Sequence, residues 1–237
     1  MIFNDLAEIR KYAMPTDWWT KYFLHPFSIR FVRVIKYTKV KPNHLTLLST
    51  LIVLLTLPLI CWGGYFLLVT TAFFLQLGLM LDCADGQLAR YKKIFSPFGG
   101  WLDQVTDRVK DFSIIFSITY RYSQVNEKAW ILGFISFFII FMLDYFGQQN
   151  RALPGYSESE AVDKLETGFI GKLKYIKRKL RSSFFGIGEQ YFFYTVFLIL
   201  NRIDILFYLI IIYGGLAVIW KPLNAYREYI LLKRKKS

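Results

Sequence analysis

The chain has 237 residues, 54% of them hydrophobic and 19% aromatic, and a formal net charge of +13. Apolar runs of about 20 residues, enough to cross a hydrocarbon core, recur with only short polar breaks, which argues against an ordinary soluble domain. The basic residues lie between and beside these runs, a placement that fits anionic headgroups and topology control rather than nucleic acid. The two cysteines, Cys61 and Cys83, give neither a disulfide framework nor a zinc spacing. The first residues have no apolar core ending in small residues, so a secretory signal peptide is not expected.

Residues 1–40 are basic and amphipathic. In "WWTKYFLHPFSIRFVRVIKYTKVK" aromatics alternate with Arg30, Arg33, Lys36 and Lys39, the mixture of an interfacial helix with aromatics at headgroup depth and cations toward phosphate. Pro42 ends it, and Asn43, His44 or Thr46 can cap the next helix. Six spans follow, at about 45–62, 65–88, 100–121, 129–147, 184–202 and 204–220, each near the ~20 residues a span requires. Basic segments alternate with weakly charged ones, which puts both termini and the 89–99 and 148–183 loops in the cytoplasm. The run Lys172–Arg181 reads as a short surface helix. The expected protein is an all-α integral membrane protein of about six transmembrane helices. It consists of an N-terminal interfacial amphipathic segment (1–40), one six-span domain (41–222) and a basic cytoplasmic tail (223–237).

Within this apolar chain, "LDCADGQLARYKKIFSPFGGWLDQVTDR" places aspartates at 82, 85, 103 and 107. A charge at membrane depth costs about 2.5–3.5 kcal/mol on insertion scales, so four together call for a purpose. Asp82 and Asp85 share one helix face, and Asp103 and Asp107 share a face of the next helix. Gly86, Ala89 and Gly99 lie near those faces and let a helix or a ligand approach the backbone closely. Counting ~1.5 Å per residue brings both pairs to one level near the cytoplasmic boundary. Carboxylate oxygens there suit Mg²⁺ or Mn²⁺, as one ion or a close pair, and a pair can clamp both oxygens of a phosphoryl transfer. Arg90, at the water boundary, can grip phosphate with its fork of donors. Two other readings compete: ion pairs with Arg90, Lys92, Arg108 and Lys110 without metal, or a cation pathway.

Residues Asp82–Asp107 read D-x2-D-G-x2-A-R-x8-G-x3-D-x3-D. This resembles the signature of the CDP-alcohol phosphotransferase (CDP-alcohol phosphatidyltransferase) family, with all eight defining positions filled by Asp82, Asp85, Gly86, Ala89, Arg90, Gly99, Asp103 and Asp107. "KPNHLT" at 41–46 is similar to the start of the first span in family members. The resemblance is specific from 82 to 107 and loose over the rest of about 25–220. It implies transfer of a phosphatidyl or other substituted phosphoryl group from a CDP-linked donor such as CDP-diacylglycerol to an alcohol acceptor, with release of CMP, in phospholipid biosynthesis. It further implies two Mg²⁺ or Mn²⁺ ions held by Asp82, Asp85, Asp103 and Asp107, with Asp107 also the general base. Gly86, Ala89 and Gly99 would give the nucleotide room, Arg90 would bind its phosphate, and Asn43 and Thr46 would reach it. Family relatives are often homodimers, so a homodimer is expected, with its site facing the cytoplasm.

Other polar residues are less decided. Arg108 and Arg151 are the candidates for contact with the acceptor, and Lys110 meets either the acceptor or a phosphate. Asp111, one turn past Asp107, is a further candidate polar contact. Glu189 either touches the acceptor or caps a neighbour. His25 and His44 read as interfacial side chains. The acceptor is not legible, although the N-terminal segment is loosely similar to members using polyols or polyol phosphates. A different class, a divalent-cation transporter or channel with an intramembrane carboxylate site, predicts metal flux without nucleotide dependence. A third, a degenerate CDP-lipid-binding member, fits the intact signature poorly.

Overall fold

The structure, a computed structural model, describes residues 6, 8–14, 17–152 and 185–236, with the backbone alone at 150–152, 228 and 231–236. All regular structure among the described residues is helical. A π-helical turn, Thr20–Leu24, leads into α1 (His25–Ile35). Then come α2 (Pro42–Trp62), α3 (Tyr65–Lys92), α4 (Pro97–Ser123), α5 (Ala129–Ala152), α6 (Ile187–Ile199) and α7 (Ile203–Leu209), the last continuing through a π-helical turn, Ile210–Gly214, into α8 (Gly215–Lys236).

The helix boundaries follow local chemistry. Pro42 and Pro97 occupy first-turn positions, where a missing N–H costs nothing. His44 Nδ1 accepts from the Lys41 backbone N–H at 3.5 Å, so His44 supplies the cap of α2. Ser96 caps α4, its Oγ accepting from the Gly99 N–H at 2.9 Å. At the end of α3, Lys93 takes a left-handed conformation with φ 54°, and the Ile94 N–H returns to the Ala89 carbonyl at 3.0 Å.

Four helical stretches are long and apolar enough to cross a membrane: Pro42–Trp62, Tyr65–Lys92, Ala129–Gln149 and Ile203–Arg227. The other two expected spans coincide with helices of different character. The first half of α4 carries Asp103, Asp107, Arg108, Lys110 and Asp111. The 13 residues of α6 rise only about 20 Å at 1.5 Å per residue, short of a ~30 Å core. In α1, His25, Ser28, Ile29 and Val32 are buried while Phe27, Arg30 and Val34 are exposed. His25 packs on the buried face of α1. Ser28 explains why that face packs: its hydroxyl accepts from Gln87 Nε2 of α3 at 2.8 Å.

The chain forms two compact units, one of Met1–Gly133 with Gly186–Phe207, the other of Phe134–Phe185 with Tyr208–Ser237. In the first, α2 packs against both α3 and α4, and α3 also packs against α1 and α6. Gly78 lets α2 and α3 approach closely. Ser49 Oγ donates to its carbonyl at 2.9 Å, and a Cβ there would stand 2.8 Å from Val53 Cγ2. Arg121 of α4 donates to the Ile60 and Gly63 carbonyls at 3.1 and 2.8 Å, closing the C-terminal end of α2.

Two polar locks bind α6 to the N-terminal segment. Gln76, midway along α3, accepts from Trp19 Nε1 at 2.9 Å and donates to the Tyr191 carbonyl at 3.0 Å and to Thr195 Oγ1 at 2.6 Å. Asp17 accepts from the Thr20 N–H and hydroxyl at 2.8 and 3.0 Å and from the Gly188 N–H at 3.2 Å. Its negative charge thus meets the positive end of the α6 dipole. In the second unit, Gly214 fits against Ile139 and Phe185, and Lys221 Nζ donates to the Leu143 carbonyl at 3.4 Å.

A Cβ at Gly188 would collide with the side chains of Asp17 and Thr20. Gly188→Ala is therefore expected to destabilise by about 1–3 kcal/mol, the usual cost of overpacking, read as a lowered midpoint of thermal unfolding in detergent. An unchanged midpoint would mean that the Asp17 lock contributes nothing.

Candidate active site

The α3 end and the α4 start bring the aspartates together. One oxygen from each of Asp82, Asp85 and Asp103 lies within 4.8 Å of the others. Asp85 is buried, while Asp82 and Asp103 are partly exposed. Oxygen-only donors at this spacing are the chemistry of a hard divalent cation, so the residues present fit Mg²⁺ or Mn²⁺.

Asp107, one turn beyond Asp103, lies outside that triplet and is paired differently. Lys110, buried on α4, places its Nζ 2.8 Å from Asp107 Oδ1 and 2.5 Å from Asp82 Oδ1. One ammonium therefore joins a carboxylate of α3 to one of α4. The four cations weighed as internal partners thus divide. Lys110 pairs with the quartet, and Arg108 lies 3.4 Å from Asp111. Arg90 Nε donates to the Tyr12 carbonyl at 2.7 Å, and Lys92 donates to the Thr38 and Val40 carbonyls at 2.8 and 2.9 Å.

Thr46 has a position that its reading as a nucleotide contact does not describe. Its hydroxyl donates to Asp85 Oδ2 at 2.5 Å, from α2 to α3. It holds one oxygen of a buried carboxylate and so orients the other. Asn43 and Gly99 do come together: a Cβ at Gly99 would lie 3.1 Å from Asn43 Oδ1 and 2.9 Å from Ser96 Oγ. At Gly86 the space a Cβ would fill borders the Arg90 guanidinium, 3.3 Å away. Ala89 sits in the last turn of α3, beside Arg90. The side chain of Arg151 and the run Lys172–Arg181 lie outside the described residues.

Glu189 caps its own helix, accepting from the Gly186 N–H at 3.3 Å. Tyr191, two residues on, was not singled out from sequence. It is fully buried on α6, within electrostatic reach of Lys110, Asp111, Asp82 and Asp107. Nothing in "GIGEQYFF" marks it apart from the neighbouring aromatics. Asp17 was missed for the same reason, since its partner Gly188 stands 171 residues away.

The family whose model matches is CDP-alcohol phosphatidyltransferase, over residues 39–173, more than half of the chain. The chain belongs to the CDP-alcohol phosphatidyltransferase family. Membership and the four apolar stretches make it a multi-pass integral membrane protein. It is 29% identical over 182 residues to a bifunctional IPC transferase and DIPP synthase of Aquifex aeolicus, covering 76% of this chain and 38% of that protein. It is 33% identical over 132 residues to an archaetidylinositol phosphate synthase of Pyrococcus horikoshii, covering 54% of this chain and 64% of that one. A second bifunctional IPC transferase and DIPP synthase, from Thermococcus kodakarensis, is 29% identical over 138 residues, covering 54% of this chain and 29% of its own length. The chain therefore spans less than two thirds of each of these relatives.

Removing the Thr46 hydroxyl frees Asp85 to rotate. Thr46→Val is expected to weaken Mn²⁺ binding by about 10–100-fold, the usual cost of losing an outer-shell partner, measured by titration of the free Mn²⁺ electron paramagnetic resonance signal. Unaltered affinity would mean that Thr46 does not orient a metal ligand.

Proposed function

We propose that the protein transfers a phosphatidyl or similarly substituted phosphoryl group from a CDP-linked donor to an alcohol acceptor, releasing CMP, in phospholipid biosynthesis. The observation that carries this reading is the convergence of Asp82, Asp85 and Asp103, from two helices, within 4.8 Å, inside a complete family signature. These three would hold a divalent cation, Mg²⁺ or Mn²⁺, with Asp107 adjoining it and a second ion the family expectation. A bound cation supplies positive charge that lowers the repulsion between the donor's pyrophosphate and an incoming hydroxyl oxygen.

The chain's own residues divide the remaining work. Asp107 accepts the proton of the acceptor hydroxyl, a group too weakly acidic to attack unaided at neutral pH. Lys110, 2.8 Å away, fixes the direction of that carboxylate. The guanidinium of Arg90, anchored through Nε to the Tyr12 carbonyl, keeps further donors for a phosphate of the nucleotide. Gly86, Ala89 and Gly99 leave room beside the backbone, and Asn43 faces Gly99 from the start of α2. Thr46 serves the site by holding Asp85.

The acceptor we propose is a polyol phosphate. The Pyrococcus relative is named an archaetidylinositol phosphate synthase, and an acidic acceptor suits cations such as Arg108 and Arg151. The protein acts as a homodimer, with α1 along the membrane surface and the site at the cytoplasmic face. Support for that orientation comes from basic segments at both termini and in the 89–99 and 148–183 loops. At that level a lipid-linked donor stays in the bilayer while a soluble acceptor arrives from water.

The test is CMP release by the purified protein in liposomes, given CDP-diacylglycerol, Mn²⁺ and a panel of alcohols that includes inositol phosphate and glycerol phosphate. Chelation with EDTA is expected to abolish release, and Asp107→Asn to lower it by about 10²–10⁴-fold, the range for loss of a general base. Release unaffected by EDTA would overturn the metal assignment. No release with any donor, together with metal flux into vesicles, would put a cation pathway in place of the transferase.

A further inference from the structure

Lys110 is not one of the eight signature positions, yet its ammonium lies within 2.8 Å of two of the four carboxylates. It is 2% exposed, and its ammonium touches Asp82 on one helix and Asp107 on the other. Asp82 is also one of the three carboxylates whose oxygens converge. Asp82 therefore belongs to two arrangements at once. With Oδ1 accepting from Lys110, that oxygen is shared between the ammonium and any ion the triplet would hold.

Electrostatics points the same way. Asp82, Asp85, Asp103 and Asp107 bring four like charges close together among apolar helices, and like charges in such surroundings repel strongly. Lys110 offsets one of them. Burying an ammonium is itself costly, and an apolar side chain of similar length would pack as well. The position of the charge, between two carboxylates on different helices, gives it a role that packing alone does not.

We propose that Lys110 is the resident cation of the site: its ammonium ties Asp82 to Asp107 and competes with a divalent ion for Asp82, so that it sets the metal affinity. This rests on the reading of the aspartates as metal ligands given above. Lys110 acts through Asp82 and Asp107 and is a positioning residue. It prevents the quartet from springing apart between turnovers, and it makes divalent binding weaker and more readily reversed than four unopposed carboxylates would.

The experiment compares wild type, Lys110→Met and Lys110→Arg, full length in detergent, by Mn²⁺ titration and by thermal unfolding in EDTA and in saturating Mn²⁺. Lys110→Met is expected to bind Mn²⁺ more tightly, on the order of tenfold, since a repelling positive charge has gone. Its unfolding midpoint should fall in EDTA and recover in Mn²⁺. Lys110→Arg keeps the charge and should keep the wild-type order of affinity. A purely structural lysine would lower the midpoint in both conditions without tightening Mn²⁺ binding, and that result overturns the proposal. If Lys110→Met does not fold, the ¹⁵Nζ resonance of Lys110 in lysine-labelled wild type, assigned with Lys110→Arg, carries the test. It should move on addition of Mg²⁺, and a resonance that stays in place overturns the proposal. Absence of Mn²⁺ binding in wild type would overturn the metal reading itself, whereas wild-type binding with no gain in Lys110→Met would overturn only the role of Lys110.

Discussion

Like charges held a few ångströms apart in apolar surroundings push one another away unless something positive stands among them. Around Asp82, Asp85, Asp103 and Asp107 the first unit meets this constraint with separate devices. Lys110 bridges the two helices, Thr46 donates to Asp85, and α2, packed against both α3 and α4, holds the carboxylate-bearing segments at their separation. Even the second line of contacts follows from it. Arg121 fastens α4 to the end of α2, and the Ser49–Gly78 contact fastens α2 to α3. The helices that carry the site are thus tied to one another at points away from it.

Much of this was legible in the sequence where the information is local. Helical periodicity puts Asp82 with Asp85 and Asp103 with Asp107, and Pro42 marks where α2 begins. The all-helical character was legible too, because apolar runs with short polar breaks have few other solutions, whereas only four of the six expected spans are long and apolar enough to cross a membrane among the described residues. What could not be read were the contacts made across the fold. Thr46 could be taken for a nucleotide contact because a hydroxyl near a helix start serves capping, binding or support equally well. Only the packing of α2 on α3 decides that it meets Asp85. Arg90 turns to the carbonyl of Tyr12, a partner 78 residues away with no side-chain signal of its own. Glu189, by contrast, was undecided between two roles, and it accepts from the Gly186 N–H at its own helix start.

The family relation and the fold reinforce each other at different ranges. The signature is compact, and its eight positions fall at the end of α3 and the first half of α4. The family match continues well beyond it, from residue 39 to 173. The N-terminal residues before that match nevertheless belong to the first unit. Tyr12 anchors Arg90, while Asp17 and Trp19 hold α6 and α3. A segment outside the matched region thus contributes to the placement of a residue inside the signature.

The Asp17–Gly188 bond has a bearing on how the molecule is made. Its partners are separated by 171 residues, so a ribosome has synthesised most of the chain before the bond can form. The local bonds from Thr20 to Asp17 can form at once and keep that carboxylate shaped as a cap from the beginning. Helices α2, α3 and α4 can enter the bilayer and assemble the aspartates while α6 is still untranslated. Closure of the first unit is then a late event in biogenesis, governed by the arrival of one glycine. An insertion factor or a quality-control protease that surveys exposed membrane helices would meet this protein with its aspartate quartet already assembled and α6 still missing.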